Sequence, residues 1–334
     1  KRSTINHPPV LFNGNQVNRV NEHKHFPKVT FRKHIVSKIK IARKNLGILK
    51  QLSTYLPLKT LDQLYKMLIR PHLDYCDIIY HEPSVSNDFD NTIRLTSLMD
   101  MVENIQYKAA LIITGTWVGT SRNKLYEELG WESLSDRRWS RRLFQFYKIH
   151  NNLCPVYLTD KLPRLRRPLY GNMNTNSYYG IYSRTNQRMN SFFPNSVNSW
   201  NSIDSELSNC TSLDVFKRNI LTLIRPPRKS TFDIHDSSGI KYLFQLRTGL
   251  SPLRYHKYCH KFLDTPSALC DCREAPEDPS HFLLHCQLHA RPRAALFATL
   301  DNIFSTNQNP PLYNVELLLY GHHTLNSKVN KLTQ

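Results

Sequence analysis

No two aspartates stand side by side anywhere in this chain. Two-metal nucleotidyl transfer needs clustered carboxylates, so the absence counts against such a centre within these residues. There is no glycine-rich phosphate loop and no G-x-S-x-G elbow, which counts against a P-loop nucleotidase and an α/β-hydrolase. No uncharged apolar stretch approaches the roughly 18 residues of a transmembrane helix, so no membrane partner is expected. The opening Lys1-Arg2-Ser3 starts no apolar run and predicts no secretory signal. The first residue is not Met, and the expectation is a fragment or a processed product. Internal repeats and low-complexity tracts are also absent.

What is present is positive charge. Lys and Arg total 45 against 26 acids, a formal charge of +19 over 334 residues. So basic a surface attracts polyanions, nucleic acid above all; the plainer alternative is a solvated basic surface. Hydrophobic content of 40% is enough for packed cores, and the length suggests roughly two domains. The seven cysteines, at 76, 154, 210, 259, 270, 272 and 286, are odd in number and unevenly spaced. They predict a reducing compartment, nuclear or cytoplasmic, with thiols free or bound to metal.

Hydrophobic periodicity predicts a mainly α fold. Residues 1–31 read as a small β unit: Val10-Leu11-Phe12, a turn at Asn13-Gly14, a return strand at 16–20 and a third strand at 29–31. The clearest helix covers 34–55, with Ile35, Ile39, Ala42, Leu46, Leu49 and Leu52 or Leu56 on one face. Its other face carries Lys38, Arg43, Lys44 and Lys50, and no acid interrupts residues 32–50. A second helix at 60–70 turns Leu61, Leu64, Tyr65 and Leu68 inward, and Pro71 either kinks it or begins a continuation through 72–80. Further helices are expected at 92–113, 121–129 and 136–151, with breaks at Gly115 and Gly119. The last of these sets Arg137, Arg138, Arg141 and Arg142 opposite Leu143, Phe146 and Ile149. Residues 161–191, carrying Lys161, Arg164, Arg166, Arg167 and Arg184, read as an exposed basic linker or flap. Pro226-Pro227 marks a second linker. Helices at 194–205, 212–224, 238–249, 252–262 and 280–304 complete the chain.

The chemistry-bearing set lies near the C-terminus. Cys270-Asp271-Cys272, His281 and Cys286 put three thiols and one imidazole within seventeen residues. That is one complete set of soft ligands for a tetrahedral zinc ion, with no position left open for catalysis. Pro276 and Pro279 can turn the loop back. The Cys-x-Cys spacing is tighter than in common fingers, and His285 or His289 can substitute as ligand; free thiols with a surface histidine are the alternative. Asp74 and Asp77 flank Cys76 on one helical side, a pair expected to face solvent.

Several stretches resemble the C-terminal third of reverse transcriptases of non-LTR retrotransposons, of the Jockey and chicken-repeat type. They are His7-Pro8-Pro9-Val10-Leu11-Phe12-Asn13-Gly14 with His23-Lys24-His25; Ala42 to Leu49 with Leu56-Pro57; and Leu64-Tyr65 with Ile69-Arg70-Pro71-His72-Leu73-Asp74-Tyr75-Cys76, the most specific block. Ile105-Gln106, Ala109-Ala110 and Ile113-Thr114-Gly115 follow, then Glu128-Leu129-Gly130-Trp131, Arg137-Arg138, Ser191-Phe192-Phe193-Pro194, Trp200-Asn201, Phe216-Lys217 and the terminal Cys-Cys-His-Cys set. The family's Asp-Asp motif is absent, with the fingers and most of the palm, and His25-Phe26-Pro27-Lys28-Val29 departs from the family pattern.

The resemblance implies a β-hairpin remnant of the palm at 1–31, a helical thumb and following helices at 32–155, a basic polar linker at 156–190, and a helical C-terminal domain at 191–334 with a zinc knuckle at 270–286. It implies RNA and DNA as partners, with the upstream palm and fingers. Candidate nucleic-acid contacts are Lys38, Arg43, Lys44, Lys50, Arg137, Arg138, Arg141, Arg142, Arg166 and Arg167, and Tyr178, Tyr179 and Tyr182 are possible base-stacking groups. Structural zinc is the expected cofactor, magnesium belongs to the palm, and this chain alone is expected to be inactive. The competing expectation is a free-standing or relic zinc-stabilised interaction module with no polymerase role.

Overall fold

The computed structural model describes residues 11–12, 15–16, 31–80, 98–166, 176–225, 237–304 and 312–321. These are mostly helical, as the periodicity predicts. Near the N-terminus, β1 (Leu11–Phe12) and β2 (Asn15–Gln16) pair antiparallel, Leu11 with Gln16 and Phe12 with Asn15. The rest of the expected β unit up to residue 30 lies outside the described residues, as do 81–97, 167–175 and 226–236.

A first core forms around α1 (Arg32–Leu52) and α5 (Leu98–Thr114). Ile35, Ile39, Ala42, Leu46 and Leu49 of α1 are buried against a group that includes Val102, Ile105, Ala109, Ala110 and Ile113 of α5. Each buried Ile or Leu contributes about 1.5–3 kcal/mol over exposure. The alanines of α5 let the two helices approach closely.

The chain then runs through α2 (Leu58–Leu64), a π-helical segment Tyr65–Ile69, α3 (Arg70–Asp74) and α4 (Asp77–Tyr80). The π segment inserts one extra residue into the turn and shifts the register. Ile69 is buried in consequence, whereas Leu68, expected inward, is 42% exposed. Pro71 stands in the first turn of α3, where its missing N–H costs nothing. Cys76, in the left-handed region at φ +59°, breaks the expected run through 72–80.

α6 (Arg122–Leu129) closes the first core with Leu125, Tyr126 and Leu129, and Trp131 stacks on Tyr65 with ring centroids 4.3 Å apart. Ser133 then caps α7 (Leu134–His150), its hydroxyl accepting from the Asp136 amide. α7 is shared: Leu134 belongs to the first core, and Leu143, Phe146 and Tyr147 belong to a second.

That second core is aromatic. After the short α8 (Val156–Thr159) and α9 (Asn186–Met189), α10 (Phe192–Asn201) brings in Val197 and Trp200. Past α11 (Ser205–Ser208), α12 (Leu213–Ile224) adds Phe216 and Ile220. Tyr147 stacks on Phe216 at 4.6 Å, and Trp200 Nε1 donates to the Asn176 carbonyl.

α13 (Ser237–Thr248) returns to the first core through Ile240 and Phe244. Gly115 ends α5 at φ +65°, and a Cβ there would meet the Lys241 side chain of α13 at 2.7 Å. Glycine is therefore favoured by both backbone and close approach. Arg247 of α13 pairs with Glu128 at 3.0 Å, both nearly inaccessible, and donates to the Leu319 carbonyl of α16 (Val315–Tyr320). α14 (Arg254–Cys259) and α15 (Ala290–Phe304) flank the cysteine-rich loop. Among the described residues, no helix is long and apolar enough to cross a membrane.

Candidate metal centre and basic surfaces

Local backbone chemistry brings the four soft ligands together. Leu269 and Pro276 form an isolated antiparallel bridge, the Cys270 amide donates to Ala275, and the Arg273 amide donates back to Cys270. Arg273 sits at φ +65°, which tightens this turn. Asp278 accepts from the His281 amide at 2.7 Å and so starts the next segment. That segment, His281–His285, is a π turn closed by the Cys286 amide donating to the His281 carbonyl at 2.7 Å. In an α-helix, residues five apart point about 140° away from each other. The wider π turn sets His281 and Cys286 on one side. The expected helix over 280–304 is accordingly divided into this π turn, a 3₁₀ turn Gln287–His289 and α15.

The ligand atoms of Cys270, Cys272, His281 and Cys286 all lie within 4.8 Å of one another. Cys270 and Cys286 sulfurs are 3.7 Å apart, and Cys272 Sγ lies 3.1 Å from His281 Nε2. The first distance is far too long for a disulfide. It is close to the edge of about 3.8 Å that a tetrahedron with metal–sulfur bonds near 2.3 Å would have. Cys270, His281 and Cys286 are buried and Cys272 is half-buried. Burial pushes the Cys270 thiol up to about 11. The Glu274 amide, which donates to Cys272 Sγ, brings that thiol down to about 7. The arrangement suits one metal ion with four protein ligands. The other histidines lie apart: His285 is exposed, and His289 packs on Phe282 at 4.5 Å between ring centres. Arg254 clasps the loop, pairing with Asp271 while its amide donates to Glu277, and Arg293 donates to the Cys286 carbonyl.

The candidate polyanion contacts divide into two groups. On α1, Arg43, Lys44 and Lys50 are exposed together with Lys33 and Lys40, and Lys38 lies 4.5 Å over the Tyr75 ring. At 100° per residue the five exposed cations occupy an arc of about 120°, spread over about 25 Å of helix. Arg166 is exposed, and Arg167 lies outside the described residues.

The arginines of α7 depart from the expectation of an outward basic face. Arg137 binds Asp74 at 2.9 Å and Glu132 at 2.6 Å. Arg141 binds Asp77 at 3.1 Å and Asp74 at 3.4 Å. Arg138 and Arg142 are buried at 2% exposure, the first donating to Met99 Sδ and the second to the Ile78 carbonyl. The apolar neighbours Leu143 and Phe146 turn α7 inward on both sides, and the arginines follow. Asp74 and Asp77, expected to face solvent, are the acids they meet. Burial pushes Asp77 up to about 6, against the pull of Arg141. Glu132 behaves oppositely: burial raises it, but hydrogen bonds and charge from Arg225 and Arg137 outweigh that and hold it at about 2.

Tyr178 also departs from the expected exposed position. It is 4% exposed, edge-on to Phe146 and 2.6 Å from His150 Nδ1, so it belongs to the second core and offers no stacking surface. Tyr179 and Tyr182 are exposed, at 55% and 86%. The sequence carried no signal for the bond from Arg225 to Glu132, groups 93 residues apart. No protein-family model, no curated protein and no solved structure matches this chain.

Proposed function

We propose that this chain is a nucleic-acid-binding C-terminal region of a non-LTR retrotransposon RNA-directed DNA polymerase. In this reading the helical bundle grips the backbone of a template–primer duplex, and a zinc-held knuckle helps to hold element RNA or target DNA. The observation that carries it is the outer face of α1, where Lys33, Lys40, Arg43, Lys44 and Lys50 are exposed with no acid among them. Such a row meets phosphates without reading bases, which suits a polymerase that must accept any sequence. Lys38, Arg166 and the exposed Tyr179 and Tyr182 belong to the same reading, and the α7 arginines do not. Structural zinc is held by Cys270, Cys272, His281 and Cys286, and four protein ligands leave no open position for chemistry. Nucleotide addition is assigned to a palm outside this chain, where magnesium would sit.

The test is fluorescence anisotropy of a labelled RNA and a matched DNA duplex across a salt series. The expected log affinity falls with log salt at about 0.7–0.9 per phosphate contacted. Reversing Lys40 and Lys44 to Glu together should flatten the slope by roughly 1.4–1.8, the share of two contacts. If affinity is weak for both probes at about 50–200 mM salt, or the double variant leaves the slope unchanged, the reading fails. The basic face is then a solvated surface, and the free-standing module takes its place.

A further inference from the structure

A cavity of about 320 Å³ lies between the π segment Tyr65–Ile69 and the turn at 130–132, and its charged lining is Lys66, Arg70, Glu132, Arg137 and Arg225. Three of the four cations already hold an acid. Lys66 binds Asp62 at 2.7 Å, Arg137 binds Asp74 and Glu132, and Arg225 binds Glu132 at 3.0 Å. The Arg70 side chain makes no hydrogen bond or ion pair to any other described residue, although it is partly buried. Burial and the neighbouring charge of Arg137 both pull its pKa down, against Asp74.

The neutral walls of the cavity are used up internally. Tyr65 donates to Gln106, Gln106 donates to the Glu132 carbonyl, and Trp131 Nε1 donates to Asp62. That leaves free donors on Arg70, on Nη1 of Arg225 and on Lys66. The mouth is wet, since the Lys66 and Arg225 side chains are 32% and 45% exposed. Arg70 stands directly after the π segment, its amide closing that turn on the Tyr65 carbonyl, and π turns recur at functional sites. A planar fork with no partner among the described residues, in a cationic pocket of ligand size, matches an oxyanion that accepts bidentately.

We propose that this pocket binds a phosphoryl oxyanion, with Arg70 as its bidentate donor and Lys66 and Arg225 completing the shell. The site is separate from the α1 face and stands whether or not that face grips a duplex. The phosphoryl group has two possible sources, a free phosphate or the terminal phosphate of a nucleic-acid strand.

The experiment uses the full chain with inorganic phosphate as probe at constant ionic strength, read by the melting midpoint and by titration calorimetry. Phosphate should raise the midpoint of the parent and leave that of Arg70→Gln unchanged. Losing a charge-assisted fork should weaken phosphate binding by roughly ten- to a hundredfold. Without phosphate, Arg70→Gln should melt at or above the parent, because it removes a partly buried charge that no direct ion pair among the described residues holds. Arg70→Lys keeps the charge but loses the fork. It should bind several-fold less tightly, and it carries the test if the glutamine variant does not fold. The Lys40/Lys44 reversal should leave the phosphate effect intact. A 5′-phosphorylated oligonucleotide that outcompetes its 5′-hydroxyl twin through Arg70 names the strand end as source, and equal competition names free phosphate. The proposal is overturned if phosphate fails to shift the parent, or if it shifts parent and Arg70→Gln alike.

Discussion

Glu132 and Asp77 sit in one ion-pair seam and respond to pH in opposite senses. Glu132 is held at about 2, below its ordinary 4.5. Its contribution is therefore complete above about pH 4.5 and is lost as pH falls toward 2; it is on the order of 3 kcal/mol. Glu132→Gln should destabilise the chain by about 2–3 kcal/mol at pH 7, because Arg137 and Arg225 lose their shared carboxylate. The deficit should shrink progressively below pH 4. Asp77 is pushed up to about 6 from 3.8. The folded state takes up its proton first, so lowering pH from 7 toward 4 relieves a cost. Asp77→Asn should be neutral or stabilising at pH 7, with the difference vanishing near pH 4. Urea midpoints at pH 3, 5 and 7 separate the two cases, and parallel curves for both variants would refute the assignment.

At the same scale, the four ligands of the candidate metal centre differ in burial. Cys286 is 0% exposed and Cys270 2%, whereas Cys272 is half-buried. With the proposed zinc bound, Cys286→Ser should abolish one-to-one metal binding and lower stability by several kcal/mol. Cys272→Ser should do less structural damage. Metal content by atomic emission, with the thiolate bands of a cobalt-loaded sample, gives the readout. An unchanged cobalt spectrum in Cys286→Ser would remove that residue from the ligand set.

Among the elements, the two π segments matter most. Tyr65–Ile69 brings Ile69 rather than Leu68 into the core and ends at Arg70. His281–His285 aligns His281 with Cys286. Inserting one alanine after Leu284 should set Cys286 six residues from His281 instead of five and, at 100° per residue, turn it about 120° away. Metal stoichiometry should then drop below one, while far-ultraviolet circular dichroism stays near that of the parent. Retention of full stoichiometry would show that the π turn is dispensable. α7 is decisive in a different way. Its hydrophobic face and its arginine face both point inward, toward separate partners, so this helix ties the two cores together.

For the whole molecule, the candidate metal loop follows α13, which packs on the first core through Ile240 and Phe244, and the Phe262 ring ahead of the loop lies 5.5 Å from that of Trp117. The ligands, the loop and α14 are contiguous in sequence, within 254–286, and α1 and α5 share no ligand with them. Chelation should therefore loosen 254–293 and leave the first core closed. Hydrogen exchange before and after a strong chelator should speed the amides of the loop and α14, with α1 and α5 unchanged to within about twofold. Global loss of protection would mean that the loop holds the bundle together.

Local pattern determined much of this protein. Ile35, Ile39, Ala42, Leu46 and Leu49 repeat at helical spacing, and they are the buried face of α1. The helices over 121–129, 212–224 and 238–249 were legible to within a residue or two, for the same reason. The three cysteines and His281 were legible because ligand chemistry restricts residue type and spacing. Tertiary structure decided the rest. Whether an arginine faces water or an acid depends on groups far along the chain, as with Arg137 and Asp74, 63 residues apart. Tyr178 is buried because Phe146, His150 and Asn201 close around it. Periodicity assumes a constant 100° per residue, so the π turns that expose Leu68 and align His281 with Cys286 cannot be read from it. The pocket around Arg70 draws on residues from 65 to 225. Burial and ion pairing are set by such long-range contacts, whereas helix propensity and ligand chemistry act over neighbouring residues.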